Sequence, residues 1–435
     1  MSGGRLQLSV KGIEFNYLSY KPKTTLFKSC YQHLTNFAIE TTEHQPNGTV
    51  KFNSKCNFII PNNGDLLSHI YLNVTLPDIQ HLLDDNNENV KLQWVNNIGH
   101  ALLKSVELYI GNKMITRMTD RQMDIMSEMI EGDKKHGLFR MIGKLSREKY
   151  YESIFKSPTI QQLTIPLPFW FSKSYAEALP ICSMSDPIRI VVNIRTFNDL
   201  IISEFPLEIT RQLSLEVNLL ATQIYLDKME RQQIITTPST YIIEQTQHQS
   251  VGHISPSMSS FRFDINFNHP IKELVWVIQR NDRMEYMTKL CDEEVLDAPE
   301  NIVYGKDIFN YSPTLVTHIV NKNTFSLNDN NTFTKARINF NGTHRTINLD
   351  ANYFRFIQPY QHNNAIPQYP IYQYSFATNL KSQTPSGFCN FTPIKDANIE
   401  FSFINEESCN RQIYMYATNY NLLNFQKGKV KLIYG

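Results

Sequence analysis

Along most of the chain, apolar and polar side chains alternate in short runs broken by turn residues. Val106-Glu107-Leu108-Tyr109-Ile110 and Ile188–Ile194 alternate in this way. Residues 55–60 lead into the turn Pro61-Asn62-Asn63-Gly64-Asp65, and residues 70–76 end at Pro77. A period of two predicts half-buried strands, and many such strands at turn-punctuated intervals predict sandwiches or barrels. One stretch breaks the rule. Thr119 or Asp120 suits the cap of a helix whose apolar face is Met123, Met126, Met129 and Ile130, with Gly132 as its stop. The expectation there is a surface helix inserted between strands, its methionines filling core gaps.

The pattern repeats. In the first half, residues 56–60, a Pro/Asn turn and residues 70–76 follow one another; residues 261–267, Asn268-His269-Pro270 and residues 273–278 answer them. Residues 104–111 run from Lys to Gly, as do residues 335–342. Pro168-Phe169-Trp170-Phe171 is answered by Tyr372-Gln373-Tyr374-Ser375-Phe376, residues 188–194 by 399–404, and residues 215–225 by 413–420. Five units recurring in one order, roughly 200 residues apart, indicate one β-fold written twice. The expected divisions are an arm over 1–25, a first domain over 26–227, a polar exposed linker over 228–239 and a second domain over 240–435.

Composition fits this picture. A chain of 435 residues is too long for one ordinary core. Aromatic residues at 12% favour pleated surfaces, and 41% hydrophobic against 19% charged residues allows sizeable cores. The formal charge of +1 lacks the basic excess of a protein that wraps nucleic acid, so no direct nucleic-acid binding is expected. Cys30, Cys56, Cys182, Cys291, Cys389 and Cys409 are scattered, as expected of free thiols in a reducing compartment. No secretory signal or membrane-spanning run is recognisable, so the expected place is the cytosol or a particle assembled there.

The search for chemistry is empty. The phosphate-loop, dinucleotide, nucleophile-elbow and H-E-x-x-H motifs are absent from the sequence. His248 and His253 are the nearest histidines to a ligand pair and read as solvated loop residues. Asp84, Asp85 and Glu88, and the run Asp292-Glu293-Glu294, read as solvated loop charge rather than acid–base pairs. Cys182 and Cys389, in or beside strand segments, read as buried thiols. N-x-[ST] sequons stand at Asn47, Asn73, Asn310, Asn330, Asn341 and Asn390, as chance produces in an Asn-rich chain. They are the candidate glycosylation sites. No catalytic, cofactor or metal residue is assigned.

Several longer matches carry a family resemblance. They begin with Gly4-Arg5-Leu6-Gln7-Leu8, Thr25-Leu26-Phe27-Lys28 and Thr35-Asn36-Phe37-Ala38-Ile39-Glu40, then Gly64-Asp65-Leu66-Leu67, Ala178-Leu179-Pro180 and Tyr225-Leu226-Asp227. They continue through Phe267-Asn268-His269-Pro270, Gln358-Pro359-Tyr360-Gln361, Tyr374-Ser375-Phe376-Ala377, Pro385-Ser386-Gly387 and Tyr416-Ala417-Thr418-Asn419-Tyr420-Asn421. In this order the chain resembles the major capsid proteins of the nucleocytoplasmic large DNA viruses, in the phycodnavirus and mimivirus-like branch. The basic carboxyl end, Lys429-Val430-Lys431, departs from that pattern, and the loops at 84–89 and 281–299 are idiosyncratic.

The resemblance implies an all-β chain of two consecutive eight-stranded jelly-roll (β-sandwich) domains with short inserted helices. It implies a structural, non-enzymatic major capsid protein, without cofactors. Three chains would form a homotrimer of nearly hexagonal outline that tiles the icosahedral shell of a large double-stranded DNA virus assembled in host cytoplasm. Its partners would be neighbouring capsomers, minor capsid and penton proteins, with an inner side towards an internal membrane. The alternatives are a minor capsid or vertex paralogue, or a jelly-roll glycan-binding protein. Polar loops at 84–89, 281–299 and 321–331 are expected on the outer face. The arm, where Leu6, Leu8 and Val10 alternate with polar residues, is expected to add to a neighbour as a short strand or an apolar strip.

Overall fold

The computed structural model describes residues 2–23, 25, 27, 33–79, 81–83, 89–146, 149–150, 162–203, 213–284, 304–313, 331–363, 365–403 and 409–434. The chain divides into two compact units, Met1–Asn36 and Phe37–Gly435. In the first, Gly3–Ser9 and Phe15–Ser19 are helical, with Leu6, Leu8 and Val10 exposed. The expected strand is therefore a helix. A helix satisfies its backbone groups internally, as Val10 N–H does on the Leu6 carbonyl at 3.2 Å, which a lone strand cannot.

Leaving aside shorter and peripheral strands, eight strands frame the first half of the second unit: β1 (Phe37–His44), β2 (Lys55–Ile60), β3 (Leu66–Thr75), β4 (Leu103–Ile110), β5 (Lys113–Thr119), β6 (Gln162–Pro166), β7 (Ile188–Ile194) and β8 (Ser214–Leu226). Eight more follow: β9 (Ser239–Ile254), β10 (Ser260–Asp264), β11 (Pro270–Arg280), β12 (Lys335–Phe340), β13 (Thr343–His344), β14 (Tyr372–Ser375), β15 (Ala397–Ser402) and β16 (Arg411–Gln426). The first set pairs in the orders β1-β8-β3-β6 and β2-β7-β4-β5, the second in the orders β9-β16-β11-β14 and β10-β15-β12-β13. Adding eight to each label of the first pair of sheets gives the second pair. Every pairing is antiparallel, and each half is an eight-stranded jelly roll.

The echo of residues 104–111 in 335–342 marks strand β4 and its counterpart β12. Both segments end in glycines with positive φ, +59° at Gly111 and +78° at Gly342, where a tight hairpin turns into the next strand. The match of residues 168–171 to 372–376 is off by one element. Trp170–Ser172 is a 3₁₀ turn, and the partner of β14 is β6, just upstream. Pro166 and Pro168 lack the N–H needed to carry the ladder further. Within the stretch 228–239, read as a polar exposed linker, residues 228–236 form the exposed helix α3 (Lys228–Thr236).

Burial follows the alternation. In β11, Leu274, Trp276 and Ile278 enter the core of the second roll. Val275 and Val277 point the other way, into a core shared with the first roll. The centre of that strand is buried on both faces, so residues 274–278 run apolar without a break. A small fifth sheet crosses the halves, pairing Ile201–Ser203 with Tyr304–Gly305.

Candidate functional site: the joint between the rolls

Helix α1 (Asp120–Glu128) follows β5 directly. Thr119 caps it, its hydroxyl accepting from the Gln122 N–H at 3.3 Å. The helix is not on the surface as expected: Asp120, Arg121, Gln122, Met123, Asp124, Ile125, Ser127 and Glu128 are all buried. The second half of the chain meets Arg121, Gln122 and Asp124, while Arg195, Lys144 and Lys135 of the first roll meet Asp120, Asp124 and Glu128, and these partners are what makes burial tolerable.

Lys144, from the loop after helix α2 (Asp133–Ile142), is 6% exposed and reaches Asp124 at 2.7 Å and Glu128 at 2.5 Å. Burial alone would lower the lysine's pKa; the two carboxylates outweigh it and raise it. Tyr311, from the second half of the chain, donates to Asp124 at 3.0 Å, and Asn97 donates to the same carboxylate at 2.9 Å. Lys135 closes on Glu128 at 2.8 Å. His100, fully enclosed, lies 3.2 Å from Asn97 Nδ2, and its pKa is pushed down to about 3 by burial and then by the Lys144 charge.

Across the joint, Arg121 donates to Gln279 on β11 at 2.8 Å and stacks over Tyr414 on β16 at 3.9 Å. Gln122 donates to Thr246 on β9 at 2.7 Å. Glu244 on β9 takes Lys272 at 2.6 Å and also Lys173 from the first roll. Burial would raise the Glu244 pKa, but the two ammonium groups hold it below the usual carboxylate range. Asp199 pairs with Lys306 at 2.6 Å, and the Ser185 N–H donates to the Gly428 carbonyl at 2.8 Å near the carboxyl end. A cavity of about 200 Å³ remains in the joint, bordered by Met118, Ile125, Met126, Trp170 and Tyr416. Chemically the arrangement is a weld: its carboxylates are engaged by cations fixed on both rolls.

The residues singled out in the sequence lie elsewhere. His248 and His253 are on strand β9, not in a loop. A bulge at 251–254, where His253 is left-handed, separates them, and His248 stacks on Tyr416 at 6.2 Å. Among the described residues, no three His, Cys, Asp or Glu side chains are placed to hold a metal ion. Cys182 is in the 3₁₀ turn Ile181–Ser183 and Cys389 in the short strand Cys389–Asn390; both thiols are half-buried, and burial pushes them up. Asn47, Asn341 and Asn390 are exposed and Asn73 is partly buried on β3. Asn310 is 2% exposed and donates to Asp307 at 2.7 Å, which leaves no room for a glycan on the folded chain. Asn330, residues 84–88 and residues 292–294 lie outside the described residues. So do the expected outer loops, apart from their ends. One of those ends, the 3₁₀ turn Asn281–Met284, is no crown: its Arg283 is fully buried.

Two family models cover nearly the whole chain. One, described as "Major capsid protein N-terminus", matches residues 25–242; the other, "Large eukaryotic DNA virus major capsid protein", matches residues 230–430. The chain belongs to this capsid protein family. It is thus a capsid protein, a structural component of a virion. Among capsid relatives, the major capsid protein of Phaeocystis pouchetii virus is 27% identical, with both chains covered in full. That of Paramecium bursaria Chlorella virus 1 is 26% identical, again with full coverage of both. The fold is that of the PBCV-1 capsid protein VP54, with a TM-score of 0.75 and 22% identity over 94% of this chain and 100% of that one. The Faustovirus major capsid protein superposes with a TM-score of 0.67 at 12% identity, covering 97% and 96%.

The joint was not legible beforehand. Asp120, Asp124 and Glu128 recur every four residues on one face of α1, which normally signals a solvated stripe. With Met123 and Ile125 also buried, the helix is enclosed on all sides. Lys144, Lys135 and Arg195 cover the stripe from within the first roll, and Tyr311 closes over it from the second half.

Proposed function

We propose that this chain is the major, non-enzymatic building block of an icosahedral shell, and that three copies associate into a capsomer of six rolls. The observation that carries the reading is the repeated jelly roll, joined across the chain by the buried bonds of Arg121 to Gln279 and Tyr311 to Asp124 and by the ion pairs Lys173–Glu244 and Lys306–Asp199. Two like rolls fixed rigidly side by side give each chain one third of a nearly hexagonal outline, which tiles a flat facet. In this reading the rolls divide across residues 228–239, and the residues before β1 serve as an arm on the inner side, towards minor capsid proteins or an internal membrane. Neighbouring capsomers and penton proteins complete the partners, in a shell around double-stranded DNA assembled in host cytoplasm. The near-neutral charge of +1 supports contact with protein rather than with the genome.

Native mass spectrometry tests the association: the expected species is three times the 50.7 kDa chain mass. Protein counting in purified particles tests the role, with hundreds to thousands of copies expected. A handful of copies per particle would reassign the chain to a minor capsid position.

A further inference from the structure

The cavity in the joint is walled by both halves of the chain. Met118 comes from β5, Ile125, Met126 and Met129 from α1 and its end, Trp170 from the 3₁₀ turn of the first roll, and Tyr416 from β16 of the second. Three thioethers and two aromatic rings thus border one space. Thioethers are polarisable and bend into irregular gaps, and their sulfur sits favourably about 5 Å from a ring, often at its edge. An apolar protein cavity of about 150 Å³ holds benzene. One of about 200 Å³ admits a ring with a short substituent.

The polar side chains around the same space are engaged with one another. Gln122 donates to Thr246 at 2.7 Å, Thr418 to Glu273 at 3.1 Å and Asn363 to Gln373 at 2.7 Å. Lys272 and Lys173 both close on Glu244, and Lys272 also donates to the Leu380 carbonyl at 3.3 Å. A charged ligand would have to break these pairs, whereas an apolar one leaves them intact. Lys173 and Lys381, with side chains 40% and 38% exposed, mark the side on which the cavity reaches solvent. We propose that this cavity is a binding site for a neutral, single-ring aromatic molecule, which bridges α1 to the second roll. Such a ligand binds the docked rolls and not the unfolded chain, so it tightens the joint. The proposal goes beyond the shell-building role and does not depend on it.

The test uses the full chain with toluene, and with benzoate as a similar ring carrying a charge. Methyl NMR of isotopically labelled methionine reads the site directly. Toluene should shift the Met118, Met126 and Met129 signals saturably. At roughly tenfold excess over its Kd it should raise the melting temperature by about 2 °C. Benzoate, whose carboxylate meets lysines already held by Glu244, should do neither. Met129→Trp fills the space and should abolish the toluene response of Met118 and Met126. Ile125→Ala widens it and should admit naphthalene, which the unaltered chain excludes. Circular dichroism matching the unaltered chain establishes that both variants fold. Methionine signals that ignore toluene would overturn the site, and so would an undiminished response in Met129→Trp. Benzoate moving the same signals would overturn the neutral class of ligand. An Ile125→Ala chain that still excludes naphthalene would overturn the assignment of Ile125 to the wall of the site.

Discussion

Between the sheets of the first roll aliphatic side chains predominate, Ile70, Leu72 and Val74 on β3 with Ile190 and Val192 on β7 and Leu108 on β4, and rings such as Phe58 and Phe171 are set among them. The second roll is filled instead around a connected cluster of rings. Trp276 lies 5.3 Å from Phe354 and 6.1 Å from Tyr372, and Phe333 lies 4.6 Å from Tyr372 and 5.1 Å from Phe401. One strand order therefore accepts two fillings. What the order requires is alternation and turn chemistry; what fills the sandwich has only to conserve volume and density. The two cores also differ in reach. The aromatic core is confined to its own roll, whereas the aliphatic one runs on through the joint to Val275, Val277 and Phe425.

That difference can be broken by substitution. Trp276→Ala should cost the most, about 5 kcal/mol, because the surrounding rings cannot collapse into the space. Calorimetry should show the loss in a transition of the second roll, with the first persisting to higher temperature. A single transition moved downward as a whole would mean that the joint couples the rolls completely. Lys144→Met should cost about 3–4 kcal/mol by leaving Asp124 and Glu128 short of a buried cation. Here the expected signature is a loss in the transition of the first roll, which carries Lys144 and both carboxylates.

Acid sharpens the same contrast. His100 sits at the joint with its pKa pushed down to about 3 from an ordinary 6.5, so the folded chain excludes a proton that the unfolded chain binds. The stability present above pH 6.5 is lost as pH falls towards 3, at up to roughly 1.4 kcal/mol per pH unit. Urea midpoints for His100→Gln should show a shallower decline over that window, by one proton. An unchanged slope would remove His100 from the account. The smallest effect is at the cap of α1. Thr119→Ala should cost about 1 kcal/mol in urea unfolding, through the lost Gln122 N–H bond.

The legible parts of the chain were those governed by local rules. The hairpin glycines at 111 and 342, the strands they follow and the Thr119 cap were all visible, because φ, alternation and capping depend on near neighbours in sequence. The π-helical turn before Pro359 was not, nor was the left-handed His253, since neither residue type announces such a conformation.

The sequence by itself determined that this chain is two like β-domains in tandem, and its family motifs said what such a pair builds. Period-two alternation and turn residues act over a few positions and survive in any context. Tertiary structure alone decided the fate of the charged helix. Whether Asp124 and Glu128 meet water or Lys144 depends on residues that fold back from up to 187 positions away, as Tyr311 does. A carboxylate stripe reads identically in both cases, because burial of charge is a property of its partners and not of the segment that carries it.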